Sequence, residues 1–150
     1  ADRLRRLALA ALSAAIEVKP DFVSAWVNRG ILRRHMGDLD GSIADQEQAV
    51  KLQPEVASNW ANLGNSHKAA ADQRTGAARD RALAACMAAY DRAVGLAPAK
   101  PDILLPRGHL HTVLGSRAKA AADYRKALEV APKDWRLRGR VEEFLREVSE

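Results

Sequence analysis

Apolar residues recur along this chain at the three-to-four spacing that places them on one face of a helix, and proline repeatedly ends the pattern. Four such segments close in the same way: Ile16 to Pro20, Val50 to Pro54, Val94 to Pro98 and Leu128 to Pro132. Proline lacks the backbone donor and clashes with the preceding turn, so each one predicts a helix end. The four prolines lie 34, 44 and 34 residues apart. Inside two of these periods, Gly37-Asp38 and Gly115-Ser116 interrupt the apolar pattern. Glycine relieves a helix C-terminus, and Asp or Ser can cap the helix that follows. Asp21 and Asp134, placed just after prolines, are predicted to cap in the same way. Each period therefore predicts a helix A, a short turn and a helix B.

Three stretches depart from the period. At the start, Ala8, Leu12, Ala15 and Pro20 fall in register as a helix B without a helix A before them. That predicts an exposed apolar face, which a longer chain or a second copy of this one would cover. The second period carries ten extra residues between Lys68 and Leu83. Its sequence stays helical in pattern around a turn at Thr75-Gly76, so the insertion is expected to lengthen both helices into a protruding hairpin, a contact site or a neutral addition. After Pro132 a last helix is expected to start near Asp134. Its apolar stripe of Leu137, Val141, Phe144, Leu145 and Val148 suits a cap over the end of a stack.

Composition narrows the functional classes. The net charge is +5, but the charges are interleaved, as in Arg79-Asp80-Arg81 and in Glu142-Glu143 beside Arg140 and Arg146. No basic stripe with interleaved aromatics points to nucleic acid. Cys86 is the only cysteine, which excludes an internal disulfide and fits a reducing, cytoplasmic setting. No apolar run is long enough to span a bilayer. The opening Arg3-Leu4-Arg5-Arg6 and the apolar residues after it look superficially like a targeting signal, yet fit a repeat helix better.

The period and its residues resemble the tetratricopeptide repeat, with its ordered Trp, Leu-Gly, Tyr, Ala, Phe, Ala and Pro. The first full copy supplies Trp26, Gly30, Ser42, Ala49 and Pro54, with Arg29, Arg33 and Gln46 in place of Leu, Tyr and Phe. The second supplies Trp60, Leu63, Gly64, Cys86, Tyr90, Ala93 and Pro98. The third supplies Leu104, Gly108, Ala120, Tyr124, Ala127 and Pro132. The resemblance implies an all-α fold, a right-handed superhelical solenoid of antiparallel helix pairs with about eight helices. A single domain over 1–150 is expected: a partial repeat at 1–20, repeats at 21–54, 55–98 (with the insertion) and 99–132, and a capping helix at 133–150.

The resemblance further implies a concave groove lined by the A helices, able to hold an extended peptide or protein segment. Its positions fall on Asn28 and Asn62 at one register and on Arg34 and Lys68 at another, with Asn65 and His109 beside them. An amide donates to and accepts from a peptide backbone, and the two cations favour acidic or polar groups. The expected role is an adaptor or scaffold. The alternatives are a non-catalytic recruitment arm of a larger enzyme and self-assembly through the open N-terminal helix, giving a homo-oligomer. Some relatives grip the tails of heat-shock chaperones with a clamp of Lys, Asn and Arg. Here the first clamp positions fall on Val27 and Ile31, or on Ala61 and Asn65, and the Arg position on Asn62 or Pro106, so no register supplies the set.

The residues suggest no catalysis, cofactor or metal. His109 and His111 stand two apart, on different helix faces, which is poor geometry for a shared metal. Cys86 occupies a small core position of a helix B, where a thiol is inert. Asp123 and Glu129 are expected on exposed helix faces and form no acid–base pair.

Overall fold

The computed structural model describes residues 2–150. Among them the chain is all-helical: α1 (Asp2–Val18), α2 (Val23–His35), α3 (Leu39–Leu52), α4 (Ala57–Asp72), α5 (Gly76–Leu96), α6 (Pro101–Val113), α7 (Arg117–Val130) and α8 (Arg138–Ser149). The residues form two compact units, one ending at Ala89 and the other running from Tyr90 to Glu150, with the division inside α5.

The A-to-B turns show how the sequence ends one helix and begins the next. After α2, Gly37 takes φ +84°, a left-handed conformation that costs glycine little. The Asp38 N–H then reaches the Arg33 carbonyl at 3.0 Å and the Gly37 N–H reaches that of Arg34 at 3.1 Å. The Asp38 carboxylate accepts from the Gly41 N–H at 3.0 Å and caps α3. Gly115 repeats the turn after α6, but the Ser116 side chain makes no capping bond. The inserted residues extend the helices instead of the turn. α4 has 16 residues against 13 in α2 and α6, and α5 has 21 against 14 in α3 and α7.

Two further expected caps do not form. Phe22, not Asp21, is the N-cap of α2, and it contributes no side-chain bond. Asp134 caps nothing, because α8 starts only at Arg138, with Leu137 as its N-cap. The intervening chain makes two turns, Trp135 N–H to the Pro132 carbonyl and Arg138 N–H to that of Trp135. These bring the Arg138 guanidinium onto the end of α7, where Nη2 donates to the carbonyls of Leu128 at 3.0 Å and Ala131 at 2.9 Å. A basic side chain at a helix C-terminus satisfies carbonyls that the helix cannot.

Small residues permit close packing inside each unit. A Cβ on Gly30 would lie 2.5 Å from Gln46 Nε2, and one on Gly108 would lie 2.6 Å from the Tyr124 ring. Ser42 and Ser66 are fully buried and bond to each other through their hydroxyls at 2.8 Å, joining α3 to α4. Trp26 and Trp60 use the same anchor: each indole N–H donates at 2.8 Å to the carbonyl of the proline that ended the previous helix B, Pro20 and Pro54. In the second unit Val141 and Val148 of α8 pack with Ala120, Ala121 and Tyr124 of α7, and Trp135 and Phe144 lie against them. α6 continues through Pro106, which leaves one turn of the helix without its donor.

Candidate functional site

The departures from the repeat pattern at Arg29 and Arg33 prove to be connected. The Arg29 guanidinium donates from Nε and Nη2 to both oxygens of Asp45, at 2.9 and 2.7 Å, and Arg33 Nη1 adds a third contact at 2.9 Å. The Asp45 side chain is only 1% exposed. In the second unit Arg107 holds Asp123 in the same bidentate way, at 2.8 and 2.6 Å, with His111 Nε2 at 4.0 Å in the place Arg33 occupies. Asp123 is thus buried and paired, contrary to the exposed face expected of it, because an Arg at the usual Leu position supplies its counter-ion. Glu129 does lie in solvent, paired with Lys126 at 2.8 Å. The middle repeat has Leu63 and Ala89 at the corresponding positions, and these join an apolar cluster with Val50.

Each buried carboxylate shapes its neighbours. Hydrogen bonding to Asp123 holds the Arg107 guanidinium above its usual pKa. Burial lowers the pKa of His111, against the opposing pull of Asp123, so the ring is neutral at pH 7. Burial also lowers that of His67 on α4, with Glu47 opposing. The phenol of Tyr124 is raised by burial. Arg107, His111 and Tyr124 belong to contacts that tie α6 to α7. Among the described residues no three His, Cys, Asp or Glu side chains gather where they could hold a metal, and Cys86 is fully buried.

The residues singled out for binding divide between the two units. α2 and α4 pack together in the first unit and carry Asn28, Arg34, Asn62, Asn65 and Lys68. Asn28 is exposed and Asn62 half-buried. Neither side-chain amide has an intramolecular hydrogen bond among the described residues, although the Asn62 carbonyl accepts from Ser66 Oγ at 3.1 Å. Arg34 is half-buried and, among the described residues, without an ion pair, and its Nε is buried with no hydrogen-bond partner. Lys68, at the same repeat position, is engaged by Asp72 at 2.5 and 2.7 Å. Asn65 is half-buried on α4.

His109 stands apart from these, in the second unit. Its Nδ1 lies 3.2 Å from the Tyr124 hydroxyl, and its ring meets Phe144 edge-on at 4.6 Å. Around it a cleft opens between α6 and α8, lined by Leu105, His109, Leu137, Arg140, Val141 and Phe144. Arg140 was legible in the sequence only as one charge on a solvated face. Its place at this cleft depends on α8 folding back on α6, which no local signal discloses.

This architecture, paired helices with small residues at their close approaches and, in two repeats, an indole anchored to the preceding proline, is that of a helical-repeat protein. The family model described as "Tetratricopeptide repeat" matches residues 23–56 and 102–134. Those two stretches match the tetratricopeptide repeat, and the helical fold is that of solved tetratricopeptide-repeat structures. Among solved structures, a thermophilic TPR protein of Thermus thermophilus superposes with a TM-score of 0.77 at 19% identity, over 93% of this chain and 70% of that one. MamA superposes with a TM-score of 0.70 at 18% identity, over 94% and 84% of the two chains. The first TPR of Spaghetti (RPAP3), bound to the HSP90 peptide SRMEEVD, gives a TM-score of 0.69 at 18% identity, over 85% and 90%. At such identities the likeness is one of fold. No curated protein matches the chain. Among the described residues no helix is long and apolar enough to cross a membrane.

Proposed function

We propose that this chain is a non-catalytic adaptor or scaffold that binds an extended peptide or protein segment along α2 and α4. Tetratricopeptide repeats generally serve protein–protein interaction, and a neighbour in fold is seen with a peptide bound. One observation carries the reading here. Asn28 and Asn62 occupy the same repeat position on two helices that pack together, and neither amide is spent on bonding among the described residues. Such amides can pair with both the N–H and the C=O of an extended backbone. Asn65 stands one helical turn beyond Asn62 and extends the row.

Arg34 is the cation that gives this row its preference for an acidic group, because no carboxylate among the described residues pairs with it. Lys68 contributes less, since Asp72 already neutralises it. His109, in the second unit, offers a partner an aromatic, polar edge of its own. The partner differs from a chaperone tail, because Val27 and Ile31, or Ala61 and Asn65, stand where the clamp would need Lys then Asn. The test is capture of partners by the wild-type chain and by an Asn28→Ala/Asn62→Ala variant. A specific partner retained by the wild type and lost by the variant supports the groove. A partner retained by both places the site elsewhere.

A second reading is favoured by α1. Leu4 is 71% exposed, Leu7 58% and Val18 87%, and the three share one face of the helix. A second copy of the chain laid on this stripe would make a homo-oligomer. Sedimentation over a range of concentrations tests it, and a monomer throughout would exclude self-assembly by this face.

A further inference from the structure

We propose that the cleft between α6 and α8 seats one large apolar side chain of a partner peptide, with an adjacent Asp or Glu of that peptide on Arg140. This rests on the reading of His109 as a partner-binding residue and deepens it. It concerns the second unit and does not depend on Asn28 or Asn62.

Leu105, Leu137, Val141 and Phe144 make the cleft's lining predominantly apolar. Its volume of about 260 Å³ suits a single Leu or Phe side chain and is below the usual size of a cofactor site. His109 closes one side, held by its edge contacts with Tyr124 at 5.6 Å and Phe144 at 4.6 Å. The lining is thereby fixed before any ligand arrives, which lowers the ordering cost of binding.

Arg140 gives the cleft its sign. Its guanidinium lies 5.5 Å from the centre of the Phe144 ring, a cation–π distance that holds it beside the opening. The side chain is exposed, and among the described residues no carboxylate pairs with it, although Glu142 and Glu143 follow on the same helix. An apolar pocket beside an unneutralised arginine is complementary to an apolar residue next to an acidic one. It repels the same segment carrying Lys. The guanidinium can bind a carboxylate through two parallel N–H donors while keeping its contact with the ring.

The test uses fluorescent, C-terminally amidated peptides on the intact chain. One carries Leu flanked by Asp. A second has Lys for Asp, and a third has Ala for Leu. Polarisation should show saturable binding of the first alone, and Arg140→Glu should weaken it about tenfold or more, the scale of one charge-assisted hydrogen bond. Arg140 is exposed, so circular dichroism should show this variant folded. Arg140→Glu should also regain affinity for the Lys peptide. Absence of saturable binding by the acidic peptide, equal binding of the Ala peptide, or indifference to Arg140→Glu would each overturn the proposal. Loss of binding in Asn28→Ala/Asn62→Ala with no change in Arg140→Glu would overturn it too, while leaving the groove intact.

Discussion

Arg29 grips both carboxylate oxygens of Asp45, and Arg107, in the other unit, grips both of Asp123 with the same separation of 16 residues. Between these two copies, Leu63 and Ala89 do the same work with apolar contact. The chain therefore contains both an ionic and an apolar solution to one packing problem. Removing one partner of a buried pair strands the other charge, whereas replacing both can be neutral. Arg107→Leu should cost about 3 kcal/mol in denaturant unfolding of the second unit. Adding Asp123→Ala to copy the middle repeat should recover most of that loss. A double variant no better than the single one would show that the ionic pair has no apolar substitute in this unit.

The two tight glycines should respond differently. Alanine at Gly108 meets the buried Tyr124 ring, while alanine at Gly30 meets the amide end of Gln46, which has torsions to yield. Gly108→Ala should lower the thermal midpoint more, by a destabilisation of about 1–3 kcal/mol typical of overpacking. Gly30→Ala should cost less, mainly through the lost bond from Gln46 Nε2 to the Val27 carbonyl at 3.0 Å. The comparison of the two midpoints is the readout.

Stability should fall on mild acidification. Burial lowers the folded-state pKa of both His111 and His67 below 6.5. Above that value both rings are neutral in folded and unfolded chains and contribute nothing to pH dependence. As pH falls below it, the unfolded chain takes up protons first, so the folded state loses stability down to the folded pKa. His111→Gln should flatten part of this slope in unfolding free energy against pH, with His67 supplying the rest. An unchanged slope would show that His111 is not the titrating group.

The two A-to-B turns look alike in sequence but not in bonding. Asp38→Ala removes a capping bond and the ion pair to Arg33, and should cost about 1 kcal/mol. Ser116→Ala removes no capping bond and should be close to neutral in the same unfolding measurement.

These contrasts mark what was legible in the sequence. Pro20, Pro54, Pro98 and Pro132 disclosed the period because a missing donor ends a helix wherever it occurs. Gly37 and Gly115 disclosed the turns because the backbone there needs a positive φ. The burial of Asp45 and Asp123 was not legible from either residue alone. A carboxylate on a helix B reads as solvated until the Arg at the Leu position of the facing helix A is read with it. The late start of α8 was hidden for a similar reason. Asp134 has the chemistry of a cap, but Arg138 reaching the carbonyls of α7 and Trp135 packing on the core decide where the helix begins. Within the candidate site, the register of Asn28 with Asn62 followed from the period. That Lys68 is paired and Arg34 is not depends on Asp72, one turn further along α4, and on the absence of such a carboxylate beside Arg34 among the described residues.

The central claim is that the side-chain amides of Asn28 and Asn62 bind a partner's backbone. Titration calorimetry of a captured partner segment against the wild type and the Asn28→Ala/Asn62→Ala variant tests it most directly. Two lost hydrogen bonds, each of about 1 kcal/mol, predict a drop in affinity of at least about tenfold with an unchanged unfolding midpoint. Equal affinity in a variant that remains folded would contradict the account.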